Sequence, residues 1–128
     1  MTFKPAISLT LALACASLAS SGAAFAHHSF AMFDDKREVT YDGVVKEFQW
    51  TNPHMWIQIY VEENGQPVEY SIEGGPPLVM GRKGWNRSSL KPGDKVKITV
   101  NPSKDSAQKS GSFVRAVFED GHTLEGRF

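Results

Sequence analysis

The sequence has almost no cysteine and no excess of charge of either sign. Its 128 residues include a single cysteine, Cys15, and 14 basic residues stand against 14 acidic ones. A lone cysteine cannot form an internal disulfide. A chain without net charge has no strong field to attract nucleic acid or an anionic membrane surface. The sequence therefore excludes a disulfide-stabilised fold and argues against nucleic-acid binding.

Motifs of the common enzyme classes are also missing. The serines stand in no nucleophile-elbow motif, and the glycines are not followed by the Lys-Ser or Lys-Thr pair of a P-loop. The carboxylates form no pair that can be distinguished from ordinary surface charge. We therefore predict that the protein is not an enzyme.

The first 26 residues match a secretory signal peptide. Lys4 gives a short positive start, residues 6–18 are apolar, and Ala24 and Ala26 occupy the −3 and −1 positions of a cleavage site. Polar interruptions make this segment unsuited to a membrane-spanning helix. The pattern predicts a periplasmic or secreted protein that is not attached to a membrane after cleavage.

The cleavage site decides which residue begins the mature chain. Cleavage after Ala26 would remove Cys15 and leave His27 as the first residue. An N-terminal histidine offers an α-amine and an imidazole, and a further imidazole would complete a three-nitrogen set that suits Cu(II). Cleavage after Ala24 would instead begin the chain at Phe25 and place His27 third, which is a different, square-planar copper or nickel site.

Histidines are the candidate metal ligands of this chain. His54 is the favoured partner of the terminal histidine, because Asn52-Pro53 places it at the start of a strand, and His122 is the second choice. The spacing of the histidines matches no zinc motif, so the alternative is that they are simply solvated. The candidate ligands of a copper site are His27, His28, His54 and His122.

Residues 27–37 indicate an extended arm, and residues 38–128 indicate one β domain. Segments rich in β-branched and aromatic residues predict strands at residues 39–50, 55–61, 67–73, 95–100 and 112–119. Residues 78–83 predict one or two helical turns, because proline precedes them and Gly84 follows. Residues 123–128 form a short tail.

The order of these elements predicts the fold. Three strands, a short helix and two more strands are the order of a five-stranded OB barrel. Alternation in the first strand slips around Gly43, as at a bulge or barrel bend, and Asn64-Gly65 predicts a tight hairpin. We predict a mostly β fold, a small five- to six-stranded OB-like barrel with one short helix between strands 3 and 4. An open β-sandwich or an SH3-like barrel is the alternative.

Two clusters carry the candidate ligand-binding residues. Trp50 and Trp56 bracket a turn, and both have even residue numbers on adjacent predicted strands. This spacing predicts that the two side chains form an aromatic wall on one face of the sheet, unless both fill the core. The second cluster joins a Gly-Gly pair, which lets backbone N–H groups approach a ligand, to basic side chains that suit an anion. Its alternative is a glycine hinge with a tryptophan packed under the barrel. The candidates are Asn52, Trp56, Glu73, Trp85 and Arg87.

Four ordered stretches together resemble a known family. They read HHSFAMFD from residue 27, VVKEFQWTNPH from residue 44, SIEGG from residue 71 and GWNRSSLKPGD from residue 84. They resemble the DUF6152 family of small exported proteobacterial proteins of unknown function. The resemblance implies an exported single domain and carries no activity with it. The positions that match the family's motifs are His27, His28, Asn52, His54, Glu73, Trp85 and Arg87.

The leading functional hypothesis is a periplasmic binding module. It would hold copper or a small ligand through the N-terminal histidine and the Asn52-Pro53-His54 turn. The alternative is a non-catalytic accessory protein that docks an exported partner through an aromatic surface. Convergence of the histidines would favour metal binding, whereas an exposed patch of tryptophans would favour docking.

Overall fold

The computed structural model describes residues 30–126. The predicted signal peptide and the candidate ligands His27 and His28 lie outside the described residues. Predictions about the leader and about the first residue of the mature chain therefore stay predictions.

Six strands and one helix make up the described part of the chain. In chain order they are β1 (Val39–Gln49), β2 (Trp56–Glu63), β3 (Gln66–Glu73), α1 (Pro77–Gly81), β4 (Lys95–Pro102), β5 (Ser110–Phe118) and β6 (Thr123–Glu125). The sheet order is β3-β2-β1-β4-β5-β6, and β3 also pairs in parallel with β5. That pairing closes the first five strands into a barrel with α1 between β3 and β4, so the predicted OB-like fold is confirmed.

Local sequence explains the two sharpest features of the sheet. Asn64 and Gly65 both have positive φ, 53° and 76°, which is the type I′ turn that matches the twist of two hairpin strands. In β1 the register against β2 shifts between Val45 and Glu47, so the strand bends there. A Cβ at Gly43 would lie 2.8 Å from Ile59 Cδ1, so the barrel needs glycine just before that bend.

The core consists of the inward-facing side chains of the five barrel strands. Loop and helix residues, namely Met55, Met80, Trp85 and Leu90, complete the same buried cluster. Each fully buried aliphatic or aromatic side chain contributes about 1.5–3 kcal/mol. The strand members are Val45, Ile57, Ile59, Tyr70, Ile72, Val96, Ile98, Val100, Phe113 and Ala116.

Strand pairing extends further along the chain than the pattern of side chains predicts. The expected loop at residues 101–111 is shorter, because Asn101 pairs with Ser112 and Pro102 with Gly111, and these pairs lengthen β4 and β5. The expected tail forms β6 against β5. Backbone hydrogen bonds form these ladders, so the polar side chains that suggested a loop do not prevent a strand.

The described part of the arm lies along the end of β4. Phe33 forms an isolated antiparallel bridge with Ser103, and Phe33 itself is buried. Asp34 N–H donates to the Pro102 carbonyl at 2.9 Å, and Lys104 N–H donates to the Met32 carbonyl at 2.9 Å. These bonds fix the chain five residues before β1 begins.

Replacing Gly111 with alanine tests the packing of the closed barrel. The new Cβ would lie 2.6 Å from Val100 Cγ2 and 3.1 Å from the Asn101 carbonyl oxygen. We expect Gly111→Ala to lower the free energy of unfolding by about 1–3 kcal/mol, as measured by chemical denaturation. Gly81→Ala is the control, because no atom lies within 4 Å of its Cβ. Equal effects at the two positions would contradict the close approach of β5 to β4.

Candidate functional site

The turn between β1 and β2 presents His54. The Asn52-Pro53 peptide bond is cis, and His54 follows directly after it. Thr51 Oγ1 donates to the His54 carbonyl oxygen at 3.0 Å, which closes the turn on itself. His54 thus sits on a hydrogen-bonded turn at the mouth of β2, as the sequence predicted.

Backbone bonds continue the β2–β3 ladder up to this turn. Met55 N–H donates to the Gly75 carbonyl at 3.0 Å, and Gly74 N–H donates to the Met55 carbonyl at 2.9 Å. A Cβ at Gly74 would overlap the buried Met55 side chain, so a residue without a side chain is required there. The Gly-Gly pair therefore brings the end of β3 against the histidine.

The imidazole of His54 is held by the end of β3. Its Nδ1 lies 3.0 Å from the Gly74 carbonyl oxygen and 3.5 Å from Glu73 Oε1. A carbonyl oxygen can only accept, so Nδ1 carries a proton and donates, and in the neutral imidazole the lone pair then lies on Nε2. Metal-binding histidines are usually oriented by this kind of bond to a carbonyl or carboxylate.

A row of polar side chains crosses the outer surface of the barrel beside His54. Glu73 on β3 pairs with Ser112 on β5, and Ser112 pairs with Asn101 on β4. They alternate with the core residues Ile72 and Val100, so they face away from the core. Nevertheless Glu73 is only 3% exposed and Asn101 only 6%. We call Glu73, Ser112 and Asn101 the polar row.

The polar row joins His54 to the N-terminal arm. Asn101 Nδ2 donates to the Arg37 carbonyl at 2.6 Å, so the far end of the row is covered by the arm. Neighbouring strands lie about 4.8 Å apart, so the row spans roughly 10 Å from β3 to β4. Ser112 and Asn101 were not among the predicted site residues. Their juxtaposition depends on the parallel register of β3 and β5, which no local pattern reveals.

The tryptophans do not form the predicted aromatic wall. Trp56 pairs with Gln49, so Trp50, the next residue, lies on the opposite face of β1, beside Phe48 at 5.9 Å between ring centroids. The prediction of one shared face is therefore wrong, because it assumed a register one residue away. Trp85 is a core residue whose Nε1 donates to the Glu125 carbonyl at 3.0 Å.

Arg87 borders the start of the histidine turn, whereas His122 lies apart from that turn and from the polar row. Arg87 Nη1 reaches the Trp50 carbonyl at 3.4 Å and is otherwise at the surface. His122 lies on the β5–β6 turn, where it stacks on Phe118 at 4.0 Å. The turn is at the opposite end of β5 from Ser112, about 20 Å along the strand. Residues 30–126 bring together no group of three or more His, Cys, Asp or Glu side chains that could hold a metal.

Shifted pKa values occur outside the His54 site. Tyr70 O–H donates to the Glu63 carboxylate, and Lys109 Nζ lies 3.0 Å from Glu63 Oε2. The Tyr70 hydrogen bond and then Lys109 lower the pKa of Glu63. Burial, followed by the hydrogen bond to Glu63, raises the pKa of Tyr70. This cluster ties the β4–β5 loop to the β2–β3 turn, which is a structural role.

Comparison with known proteins gives one match. The family model described as "Family of unknown function (DUF6152)" matches residues 13–112, which include His54 and the polar row. Searches of curated proteins and of solved structures give no match. In the described part of the chain, every helix is too short or too polar to cross a membrane.

Acid should weaken the protein through Glu63. Because the folded pKa of Glu63 lies below its ordinary value of 4.5, its carboxylate stabilises the fold above that value. This stabilisation is lost as the pH falls through the lowered pKa. We expect Glu63→Gln to flatten the pH dependence of the denaturation midpoint between about pH 6 and pH 3. Glu62→Gln, at the neighbouring exposed position, should keep the slope of the parent protein. An unchanged slope in Glu63→Gln would contradict this account.

Proposed function

Since the chain belongs to the DUF6152 family, a family of unknown function, we propose from its residues that it is a non-catalytic exported binding module for copper or a small ligand. The observation that carries the proposal is the anchoring of His54. Its Nδ1 donates to the Gly74 carbonyl beside the buried Glu73 carboxylate, so the Nε2 lone pair is held in one orientation. A preoriented imidazole loses little freedom when it binds a ligand.

The proposed site takes its other nitrogen donors from the N-terminal histidine. A signal peptide at residues 1–26 would be removed on export to the periplasm or beyond, which would leave the α-amine and imidazole of His27 on one residue. With Nε2 of His54 these make three nitrogens, and His28 offers a further one. Nitrogen-rich sets of this kind suit Cu(II).

Chain length supports this assignment. The arm is fixed to the barrel at Phe33, and Asn101 at the far end of the polar row bonds the arm at Arg37. Ala31 is also fixed, since its carbonyl accepts from Lys104 Nζ at 2.8 Å. His27 precedes Ala31 by four residues, and each residue spans at most about 3.5 Å, so the terminus could lie at most about 14 Å from Ala31. That upper limit is comparable to the roughly 10 Å between the arm's end of the row and Glu73.

The positions of the remaining candidate residues differ in how well they support contact with a ligand. Asn52 shares the exposed turn with His54, and Trp56 is half-buried at the start of β2. Arg87 is an exposed cation that suits an anionic small ligand. Trp85 is enclosed in the core, so we assign it support of the barrel rather than contact with a ligand.

The alternative function is docking of an exported partner through an aromatic surface. It has less support, because Trp85 is buried and because Trp50 and Trp56 lie on different faces. Half-buried Trp56 would then be the centre of the contact. Loss of partner capture in Trp56→Ala, with capture kept in His54→Ala, would favour docking over copper binding.

Copper titration tests the proposed function. Protein whose first residue is verified as His27 by intact mass should bind one Cu(II), as measured by titration calorimetry and by the visible absorption band. His54→Ala should weaken binding at least tenfold, about 1.4 kcal/mol, because it removes one of three nitrogens. One extra residue before His27 should weaken binding further, because it separates the α-amine from the imidazole. Binding should also weaken as the pH falls, because protons compete for the same nitrogens.

His122→Ala is the matched control, since it removes a histidine from the opposite end of β5. It should leave copper affinity unchanged. Equal affinity of the parent protein and His54→Ala would refute the proposed site, even if copper still bound at the terminus.

A further inference from the structure

The outward side of β2 carries two large aromatic side chains that take no part in the barrel core. Ile57 and Ile59 on this strand are fully buried. Because side chains alternate along a strand, the residues beside them face outward. These are Trp56, Gln58 and Tyr60, which we call the β2 strip. Trp56 and Tyr60 stand outside both the core cluster and the side chains that pack against it, so their rings do not serve core packing.

The β2 strip also has hydrogen-bonding groups that are available to a ligand. Within residues 30–126, the indole Nε1–H of Trp56 and the side-chain amide of Gln58 make no hydrogen bond. Every buried side-chain nitrogen or oxygen in that range has a partner, so these two free groups are open to solvent. An indole donates one hydrogen bond, and an amide both donates and accepts. The strip therefore combines flat apolar rings with unused donors and acceptors.

Carboxylates border the strip on both sides. Gln58 pairs with Glu47 on β1, and Tyr60 pairs with Glu69 on β3. Lys46 Nζ is bonded to Glu69 Oε2 at 2.7 Å and lies 5.7 Å from the centroid of the Tyr60 ring, which leaves Tyr60 38% exposed. Carboxylates accept strong hydrogen bonds from hydroxyl groups and repel anions. The border of the strip thus suits a ligand that is rich in hydroxyl groups and carries no negative charge.

The position of β2 narrows the kind of ligand further. The strand is paired with β1 on one side and with β3 on the other, so its backbone groups are already used. A peptide therefore cannot bind here by adding a strand to the sheet. Nucleic acid is disfavoured, because its binding depends on cations that neutralise phosphates and the strip is bordered by carboxylates.

The spacing of the two rings sets the size of the ligand. Trp56 and Tyr60 are four residues apart on one strand, which corresponds to about 13 Å. A single sugar ring is too short to contact both side chains, whereas a chain of sugars can. Each sugar ring presents apolar C–H faces, which suit an aromatic side chain, and a rim of hydroxyl groups, which suit amides and carboxylates.

We propose that the β2 strip binds an uncharged oligosaccharide. Two of its sugar rings lie on Trp56 and Tyr60, and hydroxyl groups between them exchange hydrogen bonds with the Gln58 amide and donate to Glu47. The site is independent of the copper site, since it uses neither the N-terminal segment nor His54.

Titration calorimetry with three uncharged hexasaccharides, namely chitohexaose, cellohexaose and maltohexaose, tests the proposal. At least one should bind saturably with one molecule per chain. Its disaccharide should bind at least tenfold more weakly, because it cannot span the two rings, and anionic hexagalacturonate should also bind at least tenfold more weakly. Binding of none of the three, or preference for the cationic, deacetylated form of chitohexaose over all of them, would overturn the proposal.

Variants test the strip itself. Trp56→Ala should weaken the hexasaccharide at least tenfold, and Gln58→Ala about fivefold through the loss of hydrogen bonds. Both variants should keep the denaturation midpoint close to that of the parent protein, because neither side chain belongs to the core. Phe30→Ala and Gln66→Ala are the matched controls, since these exposed residues lie outside the strip. They should leave the affinity unchanged.

The indole signals in a nitrogen–proton correlation spectrum locate the ligand directly. The Nε1–H signal of Trp56, assigned with Trp56→Phe, should shift as the hexasaccharide is added. The signal of Trp85, which donates to the Glu125 carbonyl, should stay in place. His54→Ala should bind the hexasaccharide like the parent protein, so failure of this proposal is distinct from failure of the copper site. Equal affinity of the parent protein and Trp56→Ala, or an unmoved Trp56 signal at saturation, would refute binding on the strip.

Discussion

The parallel pairing of β3 with β5 is the constraint on which the rest of the structure depends. Only three residue pairs, from Ser71↔Ser110 to Glu73↔Ser112, close the barrel. They require close packing, since Gly111 has no room for a side chain between β5 and Val100 on β4. The same short ladder sets Glu73 beside Ser112 and so creates the polar row. The register of β3 against β5 therefore both closes the barrel and assembles the candidate site.

Near the pairing of β3 with β5, polar side chains that face away from the core are buried. Glu73 and Asn101 point away from the core and are nonetheless buried. Burying a carboxylate or an amide costs free energy unless hydrogen bonds replace water. In the described residues, no buried side-chain nitrogen or oxygen lacks a hydrogen-bond partner. The cost is thus offset by specific partners, among them the Arg37 carbonyl, which accepts from Asn101.

Sequence predicted the parts of this molecule that depend on local chemistry. Asn64-Gly65 specified its hairpin, because these two residues tolerate the positive φ that the turn requires. Alternation in β4 specified which side chains face the core. Strand register was not predictable. The pairing of β1 with β2 differs by one residue from the expected one, so Trp50 lies on the face opposite Trp56 and the expected aromatic wall is wrong. The polar row was missed for the same reason, since Ser112 and Asn101 become neighbours of Glu73 only through long-range register.

The bridge between Phe33 and Ser103 fixes the start of the domain against the end of β4. In the proposed copper site, a donor carried on the chain before this bridge would meet the nearby barrel surface at an effective concentration on the order of millimolar, however dilute the protein is. A ligand held jointly by that donor and the barrel would then need only one encounter with the molecule, because the second contact would form within the chain. A few backbone hydrogen bonds at the start of the domain would in that case strengthen binding at its surface without touching the ligand.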